Sequence, residues 1–249
     1  MMGTAARELP PTTLSHANTF ESFTFSAPCD AQIVPAPRSE TLSRVMNVTI
    51  AVVALVLLLP LIALVALAVR LTSKGPIIYT QIRVGVDRRW GSGRTDSRRV
   101  QDWGGRLFKM YKFRTMRVDA EANGQAVWAQ KNDPRTTPIG AFLRKTRLDE
   151  IPQLWNVIRG DMNIVGPRPE RPSIFVELRD QIPMYSHRQR VKPGITGWAQ
   201  INQAYDSCLD DVKSKVAYDL EYVRNQGAGY DLRIMTRTLP VMIQRAKGW

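Results

Sequence analysis

Cysteine and histidine are almost missing from this chain of 249 residues, which holds two of each. Cys29 and Cys208 lie far apart without a C-x-x-C spacing, which argues against a disulfide framework or a zinc site and suits a reducing compartment. His16 and His187 read as incidental, His187 being the one that "HRQRVKPG" could bring toward a site. Phosphate-cradling nucleotide loops are missing too: there is no G-x-x-x-x-G-K, and no G-x-G-x-x-G after a strand. No internal repeat occurs. Acidic residues are few, 22 against 35 Lys plus Arg, for a formal charge of +13. Such an excess points to polyanions: nucleic acid, anionic lipid headgroups or phosphorylated substrates. With 44% hydrophobic and 23% charged residues the chain is composed like a folded protein, long enough for one sizeable domain or two small ones.

Charge disappears altogether between Arg44 and Arg70, in "VMNVTIAVVALVLLLPLIALVALAV", Val45 to Val69. As one helix this run would reach about 37 Å, more than a hydrocarbon core of roughly 30 Å. It is too long, and begins too late, for a simple signal peptide, so membrane insertion is expected. Pro60, near its middle, removes a backbone donor and crowds the carbonyl of Val56. The residues leave two readings open: a kinked transmembrane helix, or a re-entrant helix-break-helix that dips into one leaflet and returns. Under either, the strongly basic region after Arg70 places the C-terminal body in the cytoplasm.

Residues 1 to about 40, with five prolines and little periodicity, read as a flexible tail. "GPIIYTQIRVG" has the β-branched and aromatic content of a strand entered through Gly75-Pro76. The Gly- and Arg-rich stretch that follows reads as a loop. "RLFKMYKFRTM" mixes apolar residues with Arg106, Lys109, Lys112 and Arg114, and predicts a second strand with a basic face, hairpinned to the first. Residues 119 to 130 look helical, and "NDPRTTPIG" reads as a proline-punctuated loop. Ile151, Leu154, Trp155 and Ile158 fall at i, i+3, i+4 and i+7 of a short amphipathic helix. Two more helices follow. One carries the stripe Val212, Val216, Leu220, Val223. The other carries Leu232, Met235, Leu239, Met242 with Arg233, Arg237, Arg245, Lys247 and a final Trp249. The last suits either a membrane interface or ordinary packing with a solvated basic face.

The stretch with the most chemistry opens at Thr146: "TRLDEIPQLWNVIRGDMNIVGPRPERP". Asp149 and Glu150 stand at or just before a helix N-terminus and are ringed by Arg144, Lys145, Arg147, Arg159, Arg168 and Arg171. Free backbone N–H groups and the dipole there stabilise carboxylate and phosphate alike. Paired-acid glycoside hydrolysis needs carboxyls separated across a sugar ring, which adjacent residues do not obviously give. Two mutually compatible readings remain: hard-oxygen ligation of Mg²⁺ with substrate phosphates, and a carboxylate nucleophile that forms an acyl phosphate. Against them stands the bland reading, a helix cap paired with arginine. A membrane-tethered nucleic-acid binder would use "FKMYKFRTM" as a stacking platform, but leaves the acids unexplained.

"KGPIIYTQIRVG", "FKMYKFRTM", "DPRTTPIGAFLRKTRLDEIPQLWNVIRGDMNIVGPRPERP" and "RVKPGITGWAQIN", in this order, resemble the bacterial sugar transferases, or monotopic phosphoglycosyl transferases. The resemblance runs from about Arg44 to Met242. It implies transfer of a sugar 1-phosphate from a UDP-sugar to undecaprenyl phosphate, giving undecaprenyl-diphosphate-sugar and UMP, as the first membrane step of polysaccharide or glycoconjugate synthesis. By that resemblance Asp149 matches the nucleophile and Glu150 the Mg²⁺ ligand. Lys112, Arg114, Arg144 and Arg168 match basic residues around the phosphates, and Pro60 matches the break of a re-entrant helix. The implied fold is α+β and helix-dominated: a monotopic membrane protein with a small β-hairpin and interfacial amphipathic helices. Its parts would be a tail over 1–43, the re-entrant helix over 44–72 and a catalytic domain over 73–249 with interfacial C-terminal helices. The implied location is the cytoplasmic face of a bacterial inner membrane, with membrane lipid but no nucleic acid as partner, and homo-oligomers allowed. The alternative is a non-catalytic scaffold for polysaccharide assembly. The sequence departs from the family in three places: Arg147 stands where serine is usual, Gln203-Ala204 replaces Gly-Arg, and the loop from 88 to 105 is long. The chain reads as the compact form, with a private tail in place of the longer membrane region of larger members.

Overall fold

The computed structural model describes residues 33–89, 102–118, 120, 133–203 and 209–247, and the elements belong to one unit that begins at Ile33. The helix expected over 119 to 130 lies outside these residues but for Ala120, as do His16, both cysteines and Trp249.

The uncharged run folds as two helices, α1 (Glu40–Leu57) and α2 (Leu59–Thr72), interrupted at Leu58, two residues before Pro60. α1 is long and apolar enough to cross a membrane and is mostly unburied, unlike the core helix of a soluble protein. One stripe faces the body: Ala51 joins Phe108, Met110, Leu154 and Val157, while Val65 and Val69 join Phe113 and Leu143. The other face leaves Val53, Val56, Leu57, Leu59, Leu64 and Leu67 exposed. Polar groups lock the first helix down. Asn47, fully buried, accepts from the Ile164 amide at 2.6 Å and donates to the Ser43 carbonyl. Arg44 donates to the carbonyls of Val157 (2.6 Å) and Ile158.

The hairpin forms as expected. β1 (Ile78–Val84) pairs antiparallel with β2 (Leu107–Phe113), from Ile78↔Phe113 to Val84↔Leu107. The expected basic face does not form, because side chains alternate across the strand. Lys112 shares the buried face of Phe108 and Met110, whereas Lys109 is exposed. The proline loop is also corrected. Pro138 opens α3 (Pro138–Thr146), where its missing N–H is no loss, and the Thr137 hydroxyl caps the helix by accepting from the Gly140 amide at 3.0 Å. Gly140 is obligatory there: a Cβ would stand 2.0 Å from the Thr115 carbonyl oxygen.

After α3 comes a 3-10 turn, Leu148–Glu150, and then α4 (Gln153–Arg159). A parallel pair follows that the sequence does not announce, β3 (Asn163–Val165) beside β4 (Gly194–Thr196). Its crossover is α5 (Pro172–Gln181) and a 3-10 segment, Tyr185–Arg190. α6 (Trp198–Asn202), α7 (Leu209–Asn225) and α8 (Ala228–Lys247) complete the chain. The α7 stripe is buried as expected. The α8 stripe divides: Leu232, Leu239 and Met242 are exposed, whereas Met235 packs on the core beside the buried Asp231 and Ile234. From Ile33 on the segment is packed, with the Ala36 amide on the Val223 carbonyl and the Gln226 amide on the Ala36 carbonyl.

Candidate active site

The carboxylates owe their place to one strained residue. Arg147, which closes α3, adopts the left-handed conformation (φ 61°, ψ 13°), which costs a side-chain-bearing residue about 1–2 kcal/mol. The turn leads into the 3-10 segment and leaves Asp149 and Glu150 only 6% and 7% exposed.

Glu150 is the centre of charge. Its Oε1 accepts from Arg168 Nη2 at 2.6 Å and from Lys112 Nζ at 3.0 Å, and Arg147 Nη1 lies 3.7 Å away. Burial alone would push this carboxyl up. Arg168, Lys112 and Arg147 together outweigh it and hold the group well below the usual carboxylate range. Asp149 moves the opposite way: burial raises it, Lys112 offsets this in part, and the adjacent Glu150 charge raises it further. Its Oδ1 is buried without a hydrogen-bond partner. One acid is neutralised by cations, and its neighbour keeps an oxygen uncommitted. Such divergence marks different roles in a site.

The expected basic residues divide. Lys112 and Arg168 meet Glu150 directly. Arg144 lines a cavity of about 280 Å³ together with Lys145, Arg147 and Glu150. Arg114 goes elsewhere: it donates to the carbonyls of Ser73 and Lys74 at 2.7 Å and so caps the end of α2. The cavity's other walls are apolar, from Ala54 and Leu58 at the helix interruption to Val241 and Met242 of α8, with Thr196, Gln200 and Thr238 adding polar groups. His187 is not among its lining residues.

Sequence reasoning missed a buried ionic layer under the loop that carries Arg168. Burial raises the Glu170 carboxyl, but Lys215, Arg188 and Arg83 bring it down to about 2. Arg188 lies 2.6 Å from Asp219 of α7. The available signal was Asp219 itself, an acid set within the buried stripe of α7 between Val216 and Val223.

Among the described residues, no three His, Cys, Asp or Glu side chains gather as a metal cluster. Two carboxylates are nevertheless the donor set that suits Mg²⁺ carried by substrate phosphates, and the unpartnered Asp149 oxygen beside Glu150 fits that chemistry.

The profile of the bacterial sugar transferase family matches residues 38–245. The chain is 36% identical over 211 residues to a UDP-N-acetylgalactosamine-undecaprenyl-phosphate N-acetylgalactosaminephosphotransferase of Aeromonas hydrophila, covering 85% of this chain and 46% of that protein. It is 40% identical over 200 residues to the UDP-glucose:undecaprenyl-phosphate glucose-1-phosphate transferase of Escherichia coli (strain K12), covering 80% and 39%. A Caulobacter vibrioides protein named for the same glucose-1-phosphate transfer is 34% identical over 213 residues, covering 84% and 73%. The chain thus spans less than half the length of the first two relatives. It belongs to the bacterial sugar transferase family.

Proposed function

We propose that this bacterial sugar transferase moves a sugar 1-phosphate from a UDP-sugar to undecaprenyl phosphate through a covalent intermediate on Asp149. The observation that carries the reading is the pair of adjacent buried acids with opposite environments: Glu150 already balanced by Lys112 and Arg168, and Asp149 with a carboxylate oxygen unengaged. In the first step an Asp149 oxygen forms a bond to the β-phosphorus of the donor. The bond from that phosphorus to the bridging oxygen breaks, and UMP departs with the electron pair. In the second step a phosphate oxygen of the acceptor attacks the same phosphorus and releases the Asp149 carboxylate. Lys112, Arg144 and Arg168 supply charge-assisted donors to the phosphate oxygens. Glu150, with Asp149 beside it, would hold Mg²⁺, which when bound neutralises the diphosphate of the donor.

The two walls of the cavity match the two ends of the acceptor: cations of α3 for its phosphate, and apolar residues at the helix interruption for its chain. What anchors α1 and α2 supports a re-entrant course. The start of α1 is held by α4 and β3, and the end of α2 by Arg114 and Leu143, all on one body. A straight crossing would draw the Asn47–Ile164 contact and the Ala51 cluster into hydrocarbon. The exposed Leu232, Leu239 and Met242 of α8 then rest at the interface, on the inner face of the cytoplasmic membrane.

The test is UMP release from a panel including UDP-glucose and UDP-N-acetylgalactosamine, with undecaprenyl phosphate and Mg²⁺. Label from the donor sugar should bind the wild-type protein before acceptor is added, and Asp149→Asn should neither bind it nor release UMP. Turnover surviving in Asp149→Asn would eliminate the covalent route. A folded, membrane-bound wild type inert toward every donor would favour the scaffold.

A further inference from the structure

Arg168 is held by its own backbone, and the way it is held singles out a residue remote from substrate. It sits in Gly166-Pro167-Arg168-Pro169-Glu170, between β3 and α5. The Gly166 amide donates to the Thr196 carbonyl at 2.9 Å. The Pro167 carbonyl accepts from the Gly194 amide at 3.0 Å, and the Glu170 carbonyl from the Val84 amide at 2.9 Å. The two carbonyls between them are taken by guanidinium groups: Arg168 by Arg188 Nη2 at 3.1 Å, Pro169 by Arg83 Nη1 at 3.0 Å. Prolines on both sides of Arg168 fix φ and carry no N–H.

Arg188 is 1% exposed, so it does not meet a ligand in the cavity. Besides the Arg168 carbonyl, it donates through Nη1 to the Tyr185 hydroxyl at 2.8 Å. It lies 2.6 Å from Asp219 Oδ2 and 3.7 Å from Glu170 Oε1. A buried ion network of this kind is poor evidence for stability, since desolvation offsets most of the attraction. What a planar guanidinium with fixed directions does supply is geometry. We propose that Arg188 is a positioning residue: it fixes the main chain at Arg168, and thereby aims the Arg168 guanidinium at Glu150. This couples Asp219 of α7 to the carboxylate pair. The inference rests on the reaction proposed above for its kinetic readout.

A double-mutant cycle with Arg188→Lys, Arg168→Lys and the pair, followed by UMP release, tests it. Lysine keeps a cation near Asp219 but cannot serve Tyr185, Asp219 and the Arg168 carbonyl at once. Arg188→Lys should lower kcat by about 10- to 100-fold, as a misplaced group does. KM for the donor should shift no further than in Arg168→Lys, because Arg188 reaches the donor only through Arg168. The double variant should be no slower than Arg168→Lys alone, since Arg188 reaches the chemistry only through Arg168. Losses that multiply overturn the proposal, and so does a KM shift that Arg168→Lys does not share. If Arg188→Lys does not fold, Tyr185→Phe replaces it in the cycle under the same criteria. Failure of the reaction itself looks different, because the wild type would then release no UMP. Hydrogen exchange decides in that case. Faster exchange confined to the 166–170 segment in the substituted chain supports the positioning role, and unchanged exchange there refutes it.

Discussion

Asp149 and Glu150 share a turn and a charge type, yet the fold treats them oppositely, and that difference is measurable apart from activity. A carboxyl whose pKa is raised on folding adds stability below its unfolded value and loses it as pH rises through the folded value. Burial and the neighbouring charge raise Asp149, so at neutral pH its ionised form costs stability. Asp149→Asn should therefore abolish turnover and at the same time raise Tm by a few degrees near pH 8. In thermal scans the gain should shrink as pH falls toward the ordinary carboxylate value, since the raised wild-type acid regains its proton above it. A variant that is inactive because it is misfolded would show a lower Tm instead. Glu150 contributes in the other sense: its stability is present above the ordinary carboxylate value and is lost as pH falls through the depressed one. The residue types of this site were legible from the sequence, where two acids among arginines before a proline stood out although a helix cap paired with arginine could also account for them. Which acid stays uncommitted was not, because it depends on where Lys112 and Arg168 arrive from distant elements.

Among the elements, the apolar segment shows how a pattern can announce an interrupted helix and still leave its course open. The uncharged run and Pro60 announce an interrupted apolar helix, and the interruption appears at Leu58. Asn47 is the polar residue that looks out of place in it, and it turns out to be the lock onto β3. Asn47→Leu makes the segment more apolar and should leave membrane partitioning intact. It also strands the buried Ile164 amide, at a cost of about 1–3 kcal/mol. Thermal unfolding in detergent should fall accordingly, and an unchanged midpoint would show that the amide finds another acceptor. α8 teaches the opposite lesson. Its apolar stripe has helical period, but periodicity does not say whether protein or lipid covers it, and here Met235 packs on the body with Ile234 and Asp231 while Leu232, Leu239 and Met242 do not. The parallel pair β3 and β4 went unseen because three-residue strands carry no period to detect.

For the whole molecule, a buried carboxyl far from the cavity lining sets part of the pH dependence. Burial raises Asp231, at the start of α8, to about 6, with the Tyr222 hydroxyl donating to it at 2.8 Å and Arg38 opposing the shift. Its contribution is complete below the unfolded carboxylate value and is lost as pH rises through about 6. Asp231→Asn, which keeps an acceptor for Tyr222, should match the wild type in stability near pH 4. It should exceed it by up to about 3 kcal/mol above pH 7. Denaturant titrations at both pH values check this, and equal stability at the higher one would mean that Asp231 ionises without cost. Taken together, the sequence by itself determined the family, the apolar segment and its break, the hairpin, the α7 stripe and the acid pair, because each is written in local spacing or in a contiguous motif. Tertiary structure alone decided that Lys112 turns inward, that Arg114 caps a helix, that α8 leaves Leu232, Leu239 and Met242 exposed and that Arg188 and Asp219 lie beneath Arg168. Each of these depends on contacts between residues far apart in the chain, and a buried charge acquires its role only from the partner that folding brings to it.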